Sequence, residues 1–221
     1  EQVTYLGCEI NMRGDSRKEI NKRIASTMQT LKRLDIYWRH SNCPMRKKLI
    51  TADAVIRSKL LYGLDSMQLN EPQLKKLDIF QLKVLRKILK MKTTYIDRNN
   101  TNEKVFETAN RRLQEEKQGA TIKTFRAAYR TSKLKRLART IQKDGDDIQN
   151  ITFKDIYKLE PREPPNRKRC RPKHKWTKKA LEETWEDIQS KYVEHKDTPY
   201  DPENETIHTA IKQYIEDNNL D

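Results

Sequence analysis

The residues in this chain best equipped for chemistry are Asp144, Asp146 and Asp147 around Gly145. Paired carboxylates on a turn between strands can hold two divalent metal ions for phosphoryl transfer. That arrangement needs flanking β-strands and a third carboxylate on a neighbouring strand. Here the acids follow a strongly basic helical stretch and precede a polar one, which reads as a helix stop and a turn. Cys170, His174 and His195 offer sulfur and nitrogen ligands, but they lack a fourth partner and the close cysteine pairs of a zinc knuckle. No catalytic and no metal-binding residue is therefore assigned. The remaining chemistry is that of cations.

Lysine and arginine number 47 against 32 acids, a formal charge of +15, and the excess is unevenly placed. Residues 181–221 carry three lysines against twelve acids, so residues 1–180 hold a net +24. Such an excess suits a polyanion, of which nucleic acid is the usual one. A membrane surface is the alternative, but no basic amphipathic stretch has the aromatic-rich apolar face that interfacial binding favours. No run approaches the roughly 18 apolar residues of a membrane span.

The candidate phosphate contacts are Lys22, Arg23 and Arg33, then Arg46, Lys47 and Lys48, then Arg86 and Lys87. Arg126, Arg130, Arg136 and Arg139 lie in residues 111–143, where eleven basic residues face two acids. A helix this basic repels itself when unpaired, so a phosphate backbone is a natural partner. Arg169, Arg171, Lys173 and Lys175 belong to a run that ends at Trp176, and residues 161–180 hold nine cations against one acid. That run is either a nuclear-localisation signal or a disordered basic tether. Trp176 either stacks on a base or packs on the next helix. Tyr37-Trp38-Arg39-His40 poses the same choice: a bundle cap with a surface histidine, or a stacking and phosphate contact.

The elements that must position these cations are helical. Met45, Leu49, Ala52, Ile56 and Leu60 recur at the spacing of one apolar helix stripe, with Pro44 at its start and Gly63 to stop it after Tyr62. A second helix restarts at Asn70 with Gln73 in a capping-box spacing and Pro72 in its first turn. Leu74, Leu77, Phe80, Val84, Ile88 and Met91 then face one way, with the lysines and arginines elsewhere. Before this hairpin, Ser16-Arg17-Lys18-Glu19 reads as another capping box, opening a helix striped by Ile20, Ile24, Met28, Leu31 and Leu34. After it, residues 92–100 form a polar linker, and Thr101 opens a helix that leads into the basic stretch. Leu181, Trp185, Ile188 and Tyr192 stripe a further helix, and Ile207, Ala210, Ile211, Tyr214 and Ile215 a last one. The acidic end is expected as a solvated tail, with folding back over the basic body as the other arrangement.

The expected class is mainly α: a helical bundle preceded by a short β-strand or hairpin at Val3–Ile10, with a basic linker and small C-terminal helices. The expected divisions are 1–15, 16–92, 93–145, 146–176 and 177–221. Only 34% of residues are hydrophobic, 36% are charged and the mean hydropathy is −1.04, which supports a modest core. Five glycines are too few for a turn-rich all-β fold. Three widely spaced cysteines suggest a reducing compartment without a disulfide framework. Val3-Thr4-Tyr5-Leu6 reads like the inside of a domain, so the chain is expected to be a piece of a longer one.

Leu60-Leu61-Tyr62-Gly63, Leu77-Asp78-Ile79-Phe80 and Leu85-Arg86-Lys87-Ile88-Leu89 resemble the thumb of LINE-type (non-LTR) retrotransposon reverse transcriptases. Leu64-Asp65-Ser66-Met67 stands where that family has a Cys-Glu-Thr-Trp-like segment. The likeness runs from Tyr5 to about Leu113, through Glu19-Ile20-x-x-Arg23-Ile24 and Thr101-Asn102-Glu103. It returns at Arg171-Pro172-Lys173-His174-Lys175-Trp176, with Cys170 in place of a glycine. The resemblance implies that Tyr5, Leu6 and Gly7 are a primer grip, residues 16–92 a thumb, and the partner an RNA or DNA template–primer duplex. It also implies an upstream palm and fingers that carry the catalytic aspartates and two magnesium ions, an intracellular and nuclear location, and no cofactor in this chain. A free-standing basic helical nucleic-acid-binding module without a polymerase partner is the other reading of the same residues.

Overall fold

The structure, a computed structural model, describes residues 2–5, 8–11, 16–115, 120–142 and 176–218. It is mainly helical, as the periodicities require. Strands β1 (Gln2–Tyr5) and β2 (Cys8–Asn11) pair antiparallel, with Tyr5 opposite Cys8. Helices follow at α1 (Arg17–Arg33), α2 (Asp35–His40), α3 (Met45–Ala52), α4 (Ser58–Leu61), α5 (Glu71–Leu89), α6 (Asn102–Gln114) and α7 (Phe125–Gln142). Beyond residue 175 come α8 (Trp176–Lys191) and α9 (Glu205–Asp217). Tertiary contacts divide the chain into two compact units, Glu1–Tyr129 and Arg130–Asp221, and the division falls within α7.

In the first unit α3 lies against α5 and α6, α5 against α6, and α1 against α4 and α5. The core is the sum of their apolar stripes: Ile20, Leu31, Trp38, Leu49, Ile56, Leu60, Leu77, Phe80, Val84, Ile88 and Val105 are all buried. The anchor is α5. Asn70 Oδ1 accepts from Gln73 N (3.1 Å) and Gln73 Oε1 accepts from Asn70 N (2.8 Å), the reciprocal box expected from the sequence. Gly63 takes φ +72°, the left-handed turn that ends the preceding helix, and a Cβ there would overlap Cys8 Sγ. Glycine is therefore needed both for the turn and for the seat of β2.

Three local expectations give way to tertiary structure. Ser16 does not cap α1, because its backbone is already near helical (φ −77°, ψ −3°) and its side chain cannot reach the first-turn N–H groups. Its hydroxyl instead shares its proton between Gln68 O (3.1 Å) and Gln73 Oε1 (3.2 Å), joining the starts of α1 and α5. Glu19 is buried and pairs with Arg23. The helix expected over Met45–Tyr62 widens into a π turn at Asp53–Arg57 between α3 and α4, with Ile56 and Leu60 still buried. The basic stretch 111–143 is two helices rather than one. Buried Gln81 donates to Lys123 O (2.9 Å) and accepts from Phe125 N (2.8 Å), Asn110 Oδ1 accepts from Ile122 N (2.8 Å), and the Thr124 hydroxyl caps α7 through Ala127 N (3.0 Å).

The second unit corrects the solvated tail. Leu137 and Ala138 of α7 share a core with Ala180, Leu181, Trp185 and Ile188 of α8 and Ile207, Ile211, Tyr214 and Ile215 of α9. Tyr192, placed on the same stripe by spacing, stays outside that core at 39% exposure, because α8 ends at Lys191. The loop between α8 and α9 is pinned by Trp185 Nε1 and Gln189 Nε2, which both donate to Thr198 O (2.9 and 2.7 Å). Lys133 on α7 is buried, and its ammonium donates to Glu183 Oε2 at 2.9 Å. The acidic end thus packs on the basic helix that precedes it. The acids at 144–147, the Pro-rich run at 161–172 and Cys170 lie outside the described residues.

Candidate nucleic-acid interface

The short helix α2 packs beside the C-terminal end of α5, and both helices finish in basic residues. Between those ends is a cleft of about 470 Å³ lined by Arg39, His40, Arg86, Lys87, Lys90, Met91 and Lys92. Cations near helix C-termini are ordinary, since each end carries roughly half a negative charge. Five arginines and lysines exceed that need. Set against two helix ends and Asp35, they leave an uncompensated charge of about +3.

The walls of the cleft are organised by specific partners. Asp35 pairs with Lys87 across the two helices and with Arg39 one turn on (3.2 Å), and the Lys87 ammonium holds its carboxyl below the usual range. The guanidinium of Arg86 donates to Asn100 O (3.2 Å) and Asn102 Oδ1 (2.9 Å), fastening the following loop to α5. Lys90 closes α5 at φ +58°, the one described non-glycine residue with a positive φ. That place in a helix end ordinarily belongs to glycine or asparagine. A lysine there keeps a cation at the mouth of the cleft despite the backbone cost. Residues held in such conformations cluster at functional sites.

Of the basic residues singled out by sequence, Arg86 and Lys87 line this cleft. Lys22 and Arg33 on α1 and Lys47 on α3 are exposed elsewhere on the same unit. Arg46 is half-buried at the edge of a separate, mostly apolar cavity of about 380 Å³ beside the π turn. Arg23 is bound inward: its guanidinium pairs with Glu19, donates to Cys8 Sγ at 3.1 Å and lies 5.0 Å over the Tyr62 ring. Arg126 bridges Asp78 (2.9 Å) and Glu71 (3.1 Å). Lys48 is buried, with its ammonium donating to Trp38 O and Ser41 O, both at 3.0 Å, so it is no surface contact.

Trp38 is fully buried, its indole N–H donating to Leu31 O (3.1 Å), so of the Tyr37–His40 run only Arg39 and His40 reach the cleft. Arg130, Arg136 and Arg139 are exposed on the second unit, and Trp176 packs against that unit's core. Tyr5 lies in β1; Leu6, Gly7, Arg169, Arg171, Lys173 and Lys175 lie outside the described residues.

Lys90 and Lys92 were not singled out by sequence, and Arg39 and His40 only as one of two readings. Their signal was present as basic residues at two helix ends. What joined them was the packing of α2 on α5. Among the described residues no group of three His, Cys, Asp or Glu is placed to hold a metal ion, and no helix is long and apolar enough to cross a membrane. No family model, curated protein or solved structure matches the chain.

Proposed function

We propose that this chain binds nucleic acid through its phosphates, as the primer-grip, thumb and C-terminal portion of a LINE-type reverse transcriptase acting in the nucleus. In that role it grips the template–primer duplex without reading sequence, and the upstream palm and fingers of the same polypeptide supply catalysis and the magnesium ions. The observation that carries the reading is the uncompensated charge of about +3 in the cleft between α2 and α5. Of the motifs behind the resemblance, Leu77–Phe80 and Leu85–Leu89 lie on α5, one wall of the cleft, while Leu60–Gly63 ends α4 elsewhere in the same unit. Phosphates are the polyanion best suited to such a surface, because each neutralised charge releases condensed counterions.

The test is fluorescence anisotropy of an RNA–DNA hybrid titrated with the chain at several salt concentrations. Three neutralised phosphates give a slope of log affinity on log salt near −2.7, or about 40-fold weaker binding at 200 mM than at 50 mM salt. Lys90→Glu with Lys92→Glu is expected to flatten that slope by about 1.8 or more. A slope near zero, or one unchanged by the double reversal, would refute the cleft as the phosphate surface. The chain alone is expected to extend no annealed primer, and extension would overturn its assignment as a non-catalytic portion.

A further inference from the structure

Beyond the cleft the chain makes a turn whose tip is Tyr95, 97% exposed, followed by Ile96 at 65%. An aromatic side chain left this bare is unremarkable on a loose loop, but this turn is built. Ile96 N and Asp97 N both donate to Thr93 O (3.0 Å), Asn100 N to Asp97 O (3.1 Å) and Asn99 N to Asp97 Oδ1 (3.0 Å). Asn100 Nδ2 closes it onto Lys92 O (3.1 Å), and Arg86 of the cleft wall holds its far end through Asn100 O. The ring is thus carried by a fixed turn whose first residue, Lys92, lines the cleft. Three residues of chain place it within about 11 Å of that lysine.

A cation-lined groove with an aromatic face beside it is how unpaired strands are bound, because every base offers a face to stack whatever its identity. A paired base inside a duplex offers none. We infer that Tyr95 is a stacking platform for an unpaired base next to the duplex held in the cleft. This deepens the phosphate-binding reading and rests on it. The cations fix the backbone, the ring takes the first base beyond the paired region, and the preference is for structure rather than sequence.

The experiment compares a blunt RNA–DNA hybrid with the same hybrid bearing a short single-stranded extension, by anisotropy with the full chain at fixed salt. The extension is expected to tighten binding about 5- to 160-fold, the range of one stacked base. Tyr95→Ala should abolish that gain and leave blunt-duplex affinity within twofold, whereas Tyr95→Phe should keep it. Circular dichroism of each variant should match the parent, since the side chain packs on nothing. Equal affinity for the two hybrids, a gain that survives Tyr95→Ala, or a loss shared equally by both hybrids overturns the inference while the cleft reading stands. No measurable affinity for either hybrid overturns both.

Discussion

Lys48 separates a structural cation from a functional one. By type and by its neighbours Arg46 and Lys47 it belongs to a basic surface; in the fold it is a strut between α3 and the end of α2. Its ammonium donates to Trp38 O and Ser41 O at 3.0 Å each, and the residue is only 4% exposed. Lys48→Met keeps most of the apolar stem and removes two charge-assisted bonds worth about 1.5–3 kcal/mol each. Part of that loss is offset because the buried ammonium no longer has to be desolvated. The expected net cost is about 2–3 kcal/mol. Lys48→Ala also removes buried methylenes at about 0.8 kcal/mol apiece, which brings the cost to roughly 3–5 kcal/mol. Urea unfolding followed by circular dichroism measures the stability, and anisotropy on an RNA–DNA hybrid, at a temperature where both variants stay folded, measures the binding. The midpoint should fall for both variants in that order while hybrid affinity stays within twofold. A tenfold loss of affinity in Lys48→Met with an unchanged midpoint would refute the strut and return Lys48 to the surface.

Lys90→Gly should move stability and binding in opposite directions. Relief of the left-handed backbone is worth about 1–2 kcal/mol, less roughly 0.4–1 for the freer unfolded chain, while the salt slope for hybrid binding drops by about 0.9. Glu183→Ala leaves the buried Lys133 ammonium without its carboxylate and should cost about 3–5 kcal/mol in thermal unfolding, whereas Lys133→Met with Glu183→Leu should restore or exceed the parent stability. Burial holds the Lys133 ammonium below the usual lysine range against the pull of Glu183, so between the folded value and about 10.4 the unfolded chain binds more protons. Stability should therefore rise with pH in that window, and Lys133→Met should remove the rise. Gly63→Ala combines a backbone cost of about 1–2 kcal/mol with a clash against Cys8 Sγ. In a double-mutant cycle on denaturant midpoints, Cys8→Ala should recover the clash but not the backbone cost.

Local pattern carried far into this structure. The stripe Leu74–Ile88 is buried, the Asn70–Gln73 box caps α5, Gly63 takes the left-handed turn, and α9 forms over the spacing of Ile207–Ile215. These features depend on residues three or four apart, so a linear reading suffices. The sequence by itself determined that the protein is mainly helical and rich in cations, that α5 starts at the Asn70 cap, and that the helix before it stops at Gly63. Only the tertiary structure decided what each cation does. Lys48 props carbonyls, Arg126 joins Glu71 and Asp78 from α5, Lys133 is buried against Glu183, and the acidic C-terminal helices form a core with α7 instead of trailing in solvent. The cleft itself unites Arg39 and Lys92, far apart in the chain, through the packing of α2 on α5. The reason is physical. A charge interacts with whatever lies within a few ångströms of it, and which charges come that close is set by helix packing rather than by the spacing of residues along the chain.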